Sequence, residues 1–128
     1  MNKMSDINFI SEFQLHQGTD AFIAIIPSVS SKETLLEELN NKCAFPYFGY
    51  NWDALWDLFC DFHWIEKRKI MIYHQGITEL SYKDLVSYVR IIVNACKEWE
   101  ECSHHYISFL FKTDEEEIIQ NVISNLNE

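Results

Sequence analysis

Hydrophobic positions along the chain fall into two kinds of run that take turns. Ala21-Phe-Ile-Ala-Ile-Ile26, Lys69-Ile-Met-Ile-Tyr73 and Tyr106-Ile-Ser-Phe-Leu-Phe111 are short and almost continuously apolar. They are closed by Pro27, Gln75-Gly76 and Lys112, and such runs read as buried strands, the first of them covered on both faces. Between them the apolar residues recur at helical spacing: Leu35, Leu36 and Leu39, then Trp52, Leu55, Leu58, Phe59 and Phe62, then Leu85, Tyr88, Val89, Ile92, Cys96 and Trp99 across Ser81 to Glu101. Ser30-Ser-Lys-Glu33 has the spacing of a capping box at the start of the first helix, which ends near Asn40-Asn41. Thr113-Asp-Glu-Glu116 repeats it before Ile118, Ile119, Val122, Ile123 and Leu126, predicting a terminal amphipathic helix with an acidic first turn.

Strands separated by helices predict an α/β domain with a small, mainly parallel sheet, because parallel neighbours need crossovers and right-handed crossovers lay the helices over the sheet. No repeat, linker or low-complexity tract divides the chain, so residues 1–128 are expected to form one domain with its core at about 21–112. Residues 113–128 are the terminal helix and 1–20 an extension with two readings. Phe9, Phe13 and Leu15 fit a short strand leading through His16-Gln-Gly-Thr-Asp20 into a hairpin, while Ser5 to Phe13 fits a capped helical turn equally well.

The most informative stretch is Phe45-Pro-Tyr-Phe-Gly-Tyr-Asn-Trp-Asp-Ala-Leu-Trp-Asp57, running on to Phe62. An aromatic turn closed by Gly49 feeds a helix whose N-cap is Asn51, since its side-chain oxygen can accept an orphan backbone N–H. At about 100° per residue, Trp52, Leu55, Leu58, Phe59 and Phe62 gather on one arc, the core face. Asp53, Asp57 and Asp61, each four residues from the next, gather on the other. Trp56 and Cys60 flank the acidic arc, which places a large indole at the surface beside carboxylates. Like charges at i,i+4 repel by a few tenths of a kcal/mol, and from Cys43 to Glu66 there is no Lys or Arg to offset them. The positive charge must come from a partner.

Composition narrows the chemistry. With 48% hydrophobic and 15% aromatic residues the chain can build a core. A net charge of −10 disfavours direct contact with nucleic acid and favours a basic protein. The first ten residues lack the apolar core of a signal peptide and no apolar run approaches membrane-spanning length, so a cytoplasmic protein is expected. Cys43, Cys60, Cys96 and Cys102 then read as reduced thiols. Cys102-Ser-His-His105 lacks the second ligand cluster a zinc site wants, so no metal and no cofactor is expected. Nor is there a nucleophile elbow, a phosphate loop or a His-Glu-x-x-His helix. Asp53 and Asp57 share one open face rather than the two environments an acid–base pair needs. No catalytic residues are assigned, and His63 and His74 read as hydrogen-bonded structural residues.

The run Pro46-Tyr-Phe-Gly-Tyr-Asn-Trp-Asp-Ala-Leu-Trp-Asp57 resembles the signature of the barstar family, intracellular inhibitors of bacterial ribonucleases: a proline, an aromatic pair, Gly, any residue, Asn, any residue, Asp-Ala-Leu-Trp-Asp. The similarity continues loosely from Phe22 to about Phe111. It implies a three-stranded parallel sheet with helices packed on it. It also implies that Asp57 enters the enzyme's phosphate-binding centre, that Asp53 is the neighbouring acidic contact, and that Tyr47 packs over the enzyme's active-site histidine with Trp56 at the same interface. Gly49 and Asn51 match the turn and cap that set the helix angle, with Asn51 near the partner. Phe48 stands where the best-known member has a second tyrosine, so a packing role is expected of it. Tyr50 replaces an acidic residue.

Residues and resemblance together predict an immunity-type inhibitor that binds a cognate basic ribonuclease toxin one to one and occludes its active site through Tyr47, Phe48, Gly49, Asn51, Asp53, Trp56 and Asp57. Asp61 is expected at the rim, and His63 and Trp64 at the helix exit are candidates to extend the patch. The alternative is a regulatory interaction module on the same scaffold with a non-nuclease protein partner.

Overall fold

The computed structural model describes residues 5–12, 20–100 and 104–126. Four strands form one sheet: β1 (Asp6–Ile10), β2 (Ala21–Ile26), β3 (Lys69–His74) and β4 (Tyr106–Lys112). Their order is β1-β4-β3-β2, and every neighbouring pair is parallel. The helices are α1 (Lys32–Lys42), α2 (Trp52–Phe59), α3 (Tyr82–Trp99) and α4 (Glu116–Asn125), the last entered through one 3₁₀ turn, Thr113–Glu115.

The register aligns Ala24, Ile72 and Phe109 across three strands, with Ile70 beside Ile107 in another row. These side chains are buried and share one core with Leu35, Leu36 and Leu39 of α1, Leu55 and Phe59 of α2, and Tyr88, Val89 and Ile92 of α3. Stepping from β2 to β3 to β4 moves the chain in a single direction across the sheet. Right-handed connections therefore bring α1, α2 and α3 to the same face. The Phe59 ring lies 5.4 Å from that of Phe109, joining α2 to β4. Ile119 and Val122 of α4 extend the core.

Several sequence expectations are corrected. The sheet has four strands rather than three, because Asp6–Ile10 pairs with β4. β1 and β2 sit at opposite edges, so they do not form a hairpin, and the helical alternative for Ser5 to Phe13 does not hold over Asp6–Ile10; the remainder of that expectation, residues 13–19, lies outside the described residues. The Ser5 hydroxyl accepts the Ile107 N–H at 2.9 Å, fixing the start of β1 on β4. Second, β2 is not buried on both faces: Ala24 and Ile26 are, whereas Phe22, Ile23 and Ile25 are half-exposed on an edge strand. Third, the α1 N-cap is Ser31, one residue later than the capping-box spacing suggests, and its hydroxyl accepts from Thr34 N–H at 3.1 Å. The capping box expected at Thr113-Asp-Glu-Glu116 does not form either: no side chain caps the 3₁₀ turn at Thr113 or α4, and Glu115 turns instead to the loop after β3.

Two buried polar groups lock the layers. His74 on β3 donates Nδ1–H to the Leu110 carbonyl at 2.9 Å and accepts the Tyr88 hydroxyl at Nε2, tying β3, β4 and α3 together. Burial pushes its pKa from 6.5 down to about 4, with the Leu110 bond opposing, so the ring is neutral, as a structural histidine should be. Glu115 accepts from the backbone N–H of Ile77 and Thr78, at 3.2 and 3.0 Å, and from the Thr78 hydroxyl. By local spacing Glu115 belongs to the acidic first turn of the terminal helix. It is a buried carboxylate that organises the loop after β3.

Candidate protein-binding site

The candidate face begins where α1 stops. Ala44 takes a left-handed conformation, φ 55°, and the Phe45 N–H reaches back to the Asn40 carbonyl at 3.2 Å. This is a Schellman ending that turns the chain sharply. Phe45 then anchors the loop, its ring 5.4 Å from Phe48, 6.4 Å from Phe59 and 5.8 Å from Trp64. Trp64 donates its indole N–H to the Cys43 carbonyl at 3.0 Å, so it buttresses the loop from beneath.

The loop closes onto α2 through Asn51. Its Oδ1 accepts the Ala54 N–H at 2.8 Å and its Nδ2 donates to the Gly49 carbonyl at 2.9 Å. Both ends of the side chain are thus engaged, one capping the helix and one closing the turn. A Cβ on residue 49 would sit 3.1 Å from the Ala54 Cβ and 3.2 Å from Asn51 Nδ2. Gly49 is therefore favoured by close approach rather than by backbone angle, since a Cβ would press on both neighbours.

On this mount Asp53 and Asp57 are exposed, and among the described residues neither forms a hydrogen bond or an ion pair. Their chain neighbours divide as the helical spacing predicts. Leu55, Leu58 and Phe59 are buried, and Trp52 stacks on Tyr88 at 6.3 Å; Phe62, expected on the same arc, is buried too but lies past the end of α2 in a left-handed turn, φ 52°. Trp56 is half-buried and packs against the core, so the indole expected at the surface shows only part of itself. Phe48 is half-buried too, consistent with packing. Tyr47 is 56% exposed at the loop tip.

Asp61 differs from the other two aspartates. Its carboxylate accepts the His63 backbone N–H at 3.2 Å and meets the His63 ring Nδ1 at 2.8 Å, closing the helix exit. The aspartate arc is thus two free carboxylates and one already engaged.

Long-range packing adds two groups that local sequence does not flag. Lys32, from the first turn of α1, holds its ammonium 5.2 Å from the Trp52 ring centre, a cation–π contact. A cation therefore does stand near the N-terminal end of α2, although residues 43–66 contain none. Glu98 of α3 lies close enough to Cys60 that, after burial, it and Asp57 raise the thiol to about 12. An additional carboxylate thus joins this side of the molecule. Tyr50, next to the cap, is 57% exposed with φ 50°.

Among the described residues no three metal-ligating side chains come together and no helix is long and apolar enough to cross a membrane. Cys43, Cys60 and Cys96 are free thiols, each pushed to about 12 with burial as the main cause. His105, from the cysteine–histidine stretch, donates Nδ1–H to the Lys67 carbonyl at 2.9 Å and packs edge-on to Trp99. Cys102 lies outside the described residues.

A loop–helix unit thus presents two carboxylates without partners among the described residues and an exposed tyrosine. No curated protein matches the chain. The family model described as Barstar (barnase inhibitor) matches residues 20–113, from just before β2 into the turn that follows β4 and including the whole loop–helix unit. That match spans most of the sequence, and the chain belongs to the barstar family.

Proposed function

We propose that this protein is an immunity-type inhibitor that binds a cognate basic ribonuclease toxin one to one in the cytoplasm and occludes its active site with the exposed face of α2. Membership of a family of ribonuclease inhibitors supports a protein-binding role of this kind. The observation that carries the finer reading is the pair Asp53 and Asp57, exposed and without intramolecular partners among the described residues. A ribonuclease must gather cationic groups around the scissile phosphate. A carboxylate on a rigid helix takes the phosphate's place through charge-assisted hydrogen bonds, and its own desolvation is offset by those cations.

In this reading Asp57 enters the phosphate-binding centre and Asp53 meets a neighbouring cation. Tyr47 lies over the enzyme's catalytic groups, with the exposed edge of Trp56 beside it. Gly49, Phe48 and Asn51 hold the loop at the angle that makes these contacts simultaneous. Asp61, engaged with His63, stays at the rim. Because the surface is preformed and the net charge is −10, association is fast and slows with added salt.

The test is inhibition of RNA cleavage by a panel of basic microbial ribonucleases that includes barnase. The wild-type chain is expected to abolish the activity of at least one. Removing one member of a buried, hydrogen-bonded charge pair costs about 2–5 kcal/mol, so Asp57→Ala should weaken binding by roughly 30-fold to several thousand-fold. Inhibition unchanged by Asp57→Ala would refute the phosphate-mimic mechanism. A protein that inhibits none of the enzymes and binds a non-nuclease partner through the same face would be an interaction module instead.

A further inference from the structure

We infer that Tyr50 is a specificity-determining contact that lays its ring against a planar cation, an arginine guanidinium, on the bound nuclease. The inference rests on the inhibitor reading above and adds to it a contact of different chemistry from the carboxylates.

Tyr50 combines a strained backbone with a ring that the fold leaves largely uncovered. Its φ of 50° lies in the left-handed region, which a bulky side chain rarely adopts. Its ring is 57% exposed, and among the described residues its hydroxyl has no hydrogen bond. The fold gains one tilted ring contact in return, with Phe48 at 4.7 Å. Asparagine or glycine would hold the same turn with less strain. An aromatic ring here is therefore not what the fold requires.

Its position supplies the use. Tyr50 immediately precedes the Asn51 cap, whose two hydrogen bonds make the mount stiff, and Asp53 follows in the first turn of α2. Tyr50 and Asp53 stand three residues apart on this mount, so an exposed ring face and an unpaired carboxylate are both offered to a cation. Lys32 already lies over the Trp52 ring at 5.2 Å, so rings of this unit take cations even in the free protein. Arginine suits the site better than lysine because its flat guanidinium can stack on the ring while donating to a neighbouring carboxylate.

The experiment uses a ribonuclease from the panel that the full wild-type chain inhibits, and measures dissociation and thermal melting of Tyr50→Phe, Tyr50→Leu and Tyr50→Asn. Tyr50→Asn should melt at or above the wild-type temperature yet dissociate about tenfold faster, and Tyr50→Leu should dissociate as fast. Tyr50→Phe keeps the ring face and should dissociate within about threefold of wild type. Wild-type dissociation in Tyr50→Asn overturns the inference, and so does a clear fall in its melting temperature, which would make the ring part of the fold. Asp57→Ala in the same assay separates the two claims. If it abolishes inhibition while Tyr50→Asn does not weaken it, only the Tyr50 contact falls; if no enzyme of the panel is inhibited, the inhibitor reading falls and this contact with it.

Discussion

Replacing His74 with glutamine should remove a specific pH dependence of folding stability. The ring is fully buried, stacked 4.4 Å from Phe111, with Nδ1–H donated to Leu110 and Nε2 accepting from Tyr88. Protonation would put a charge where there is no water and force Nε2 to donate toward a hydroxyl that now donates to it. Burial accordingly holds the folded pKa at about 4 against 6.5 in the unfolded chain. The folded value is depressed, so between these two limits the unfolded chain takes up a proton that the folded chain refuses. His74 therefore contributes its full stability above pH 6.5, loses it as pH falls from 6.5 to about 4, and changes nothing further below that. At 1.36 kcal/mol per pKa unit the whole effect is about 3 kcal/mol. Urea unfolding followed by circular dichroism at pH 7, 6 and 5 measures it. His74→Gln loses stability at pH 7 through poorer packing and hydrogen bonding. The difference between wild type and variant should shrink by about 2 kcal/mol by pH 5, while other groups titrate in both proteins and largely cancel. A difference constant across this range would refute a neutral, buried His74.

Other expectations follow from single contacts. Asn51→Ala removes the α2 cap and the bond to Gly49, and should lower stability by about 1–2 kcal/mol while weakening inhibition through a misplaced Asp53 and Asp57. Glu115→Gln turns an amide toward the N–H groups of Ile77 and Thr78. It should cost about 1–3 kcal/mol, with faster amide exchange at those two residues as its local signature.

What was legible in the sequence was what local spacing determines. The core stripe of α2 from Trp52 to Phe59 and its Asn51 cap involve residues one to two turns apart and stand as read, whereas Phe62, expected on the same helical arc, lies past the helix end with φ 52°. The three apolar strands stand for the same reason. The α1 cap slipped by one because Ser30 and Ser31 are adjacent and only the backbone decides which of them turns out of the helix. Glu115 misled for a physical reason: an acidic residue at a helix start already has a local explanation in the helix dipole, yet its donors lie in the loop after β3. Likewise β1 has its partner in β4, about a hundred positions along the chain, so no nearby pattern distinguishes a parallel edge strand from half of a hairpin. Lys32 and Glu98 reach the candidate face from other helices, and the left-handed backbone of Tyr50 leaves no trace in residue type. Helical spacing sorted Asp53 and Asp57 from the core residues, but it could not show that Asp61 meets His63.

The placement of β1 beside β4 bears on how the molecule is made. On the ribosome β1 emerges well before β4, its partner in the sheet, while β2, the helices and β3 follow it out. Only after residues 106–112 have cleared the exit can the register Asp6 to Ser108 form and the Ser5 hydroxyl meet Ile107. The sheet is therefore completed by a pairing between strands about a hundred residues apart, a slow, long-range closure, and a chain cut short before β4 leaves β1 without its partner.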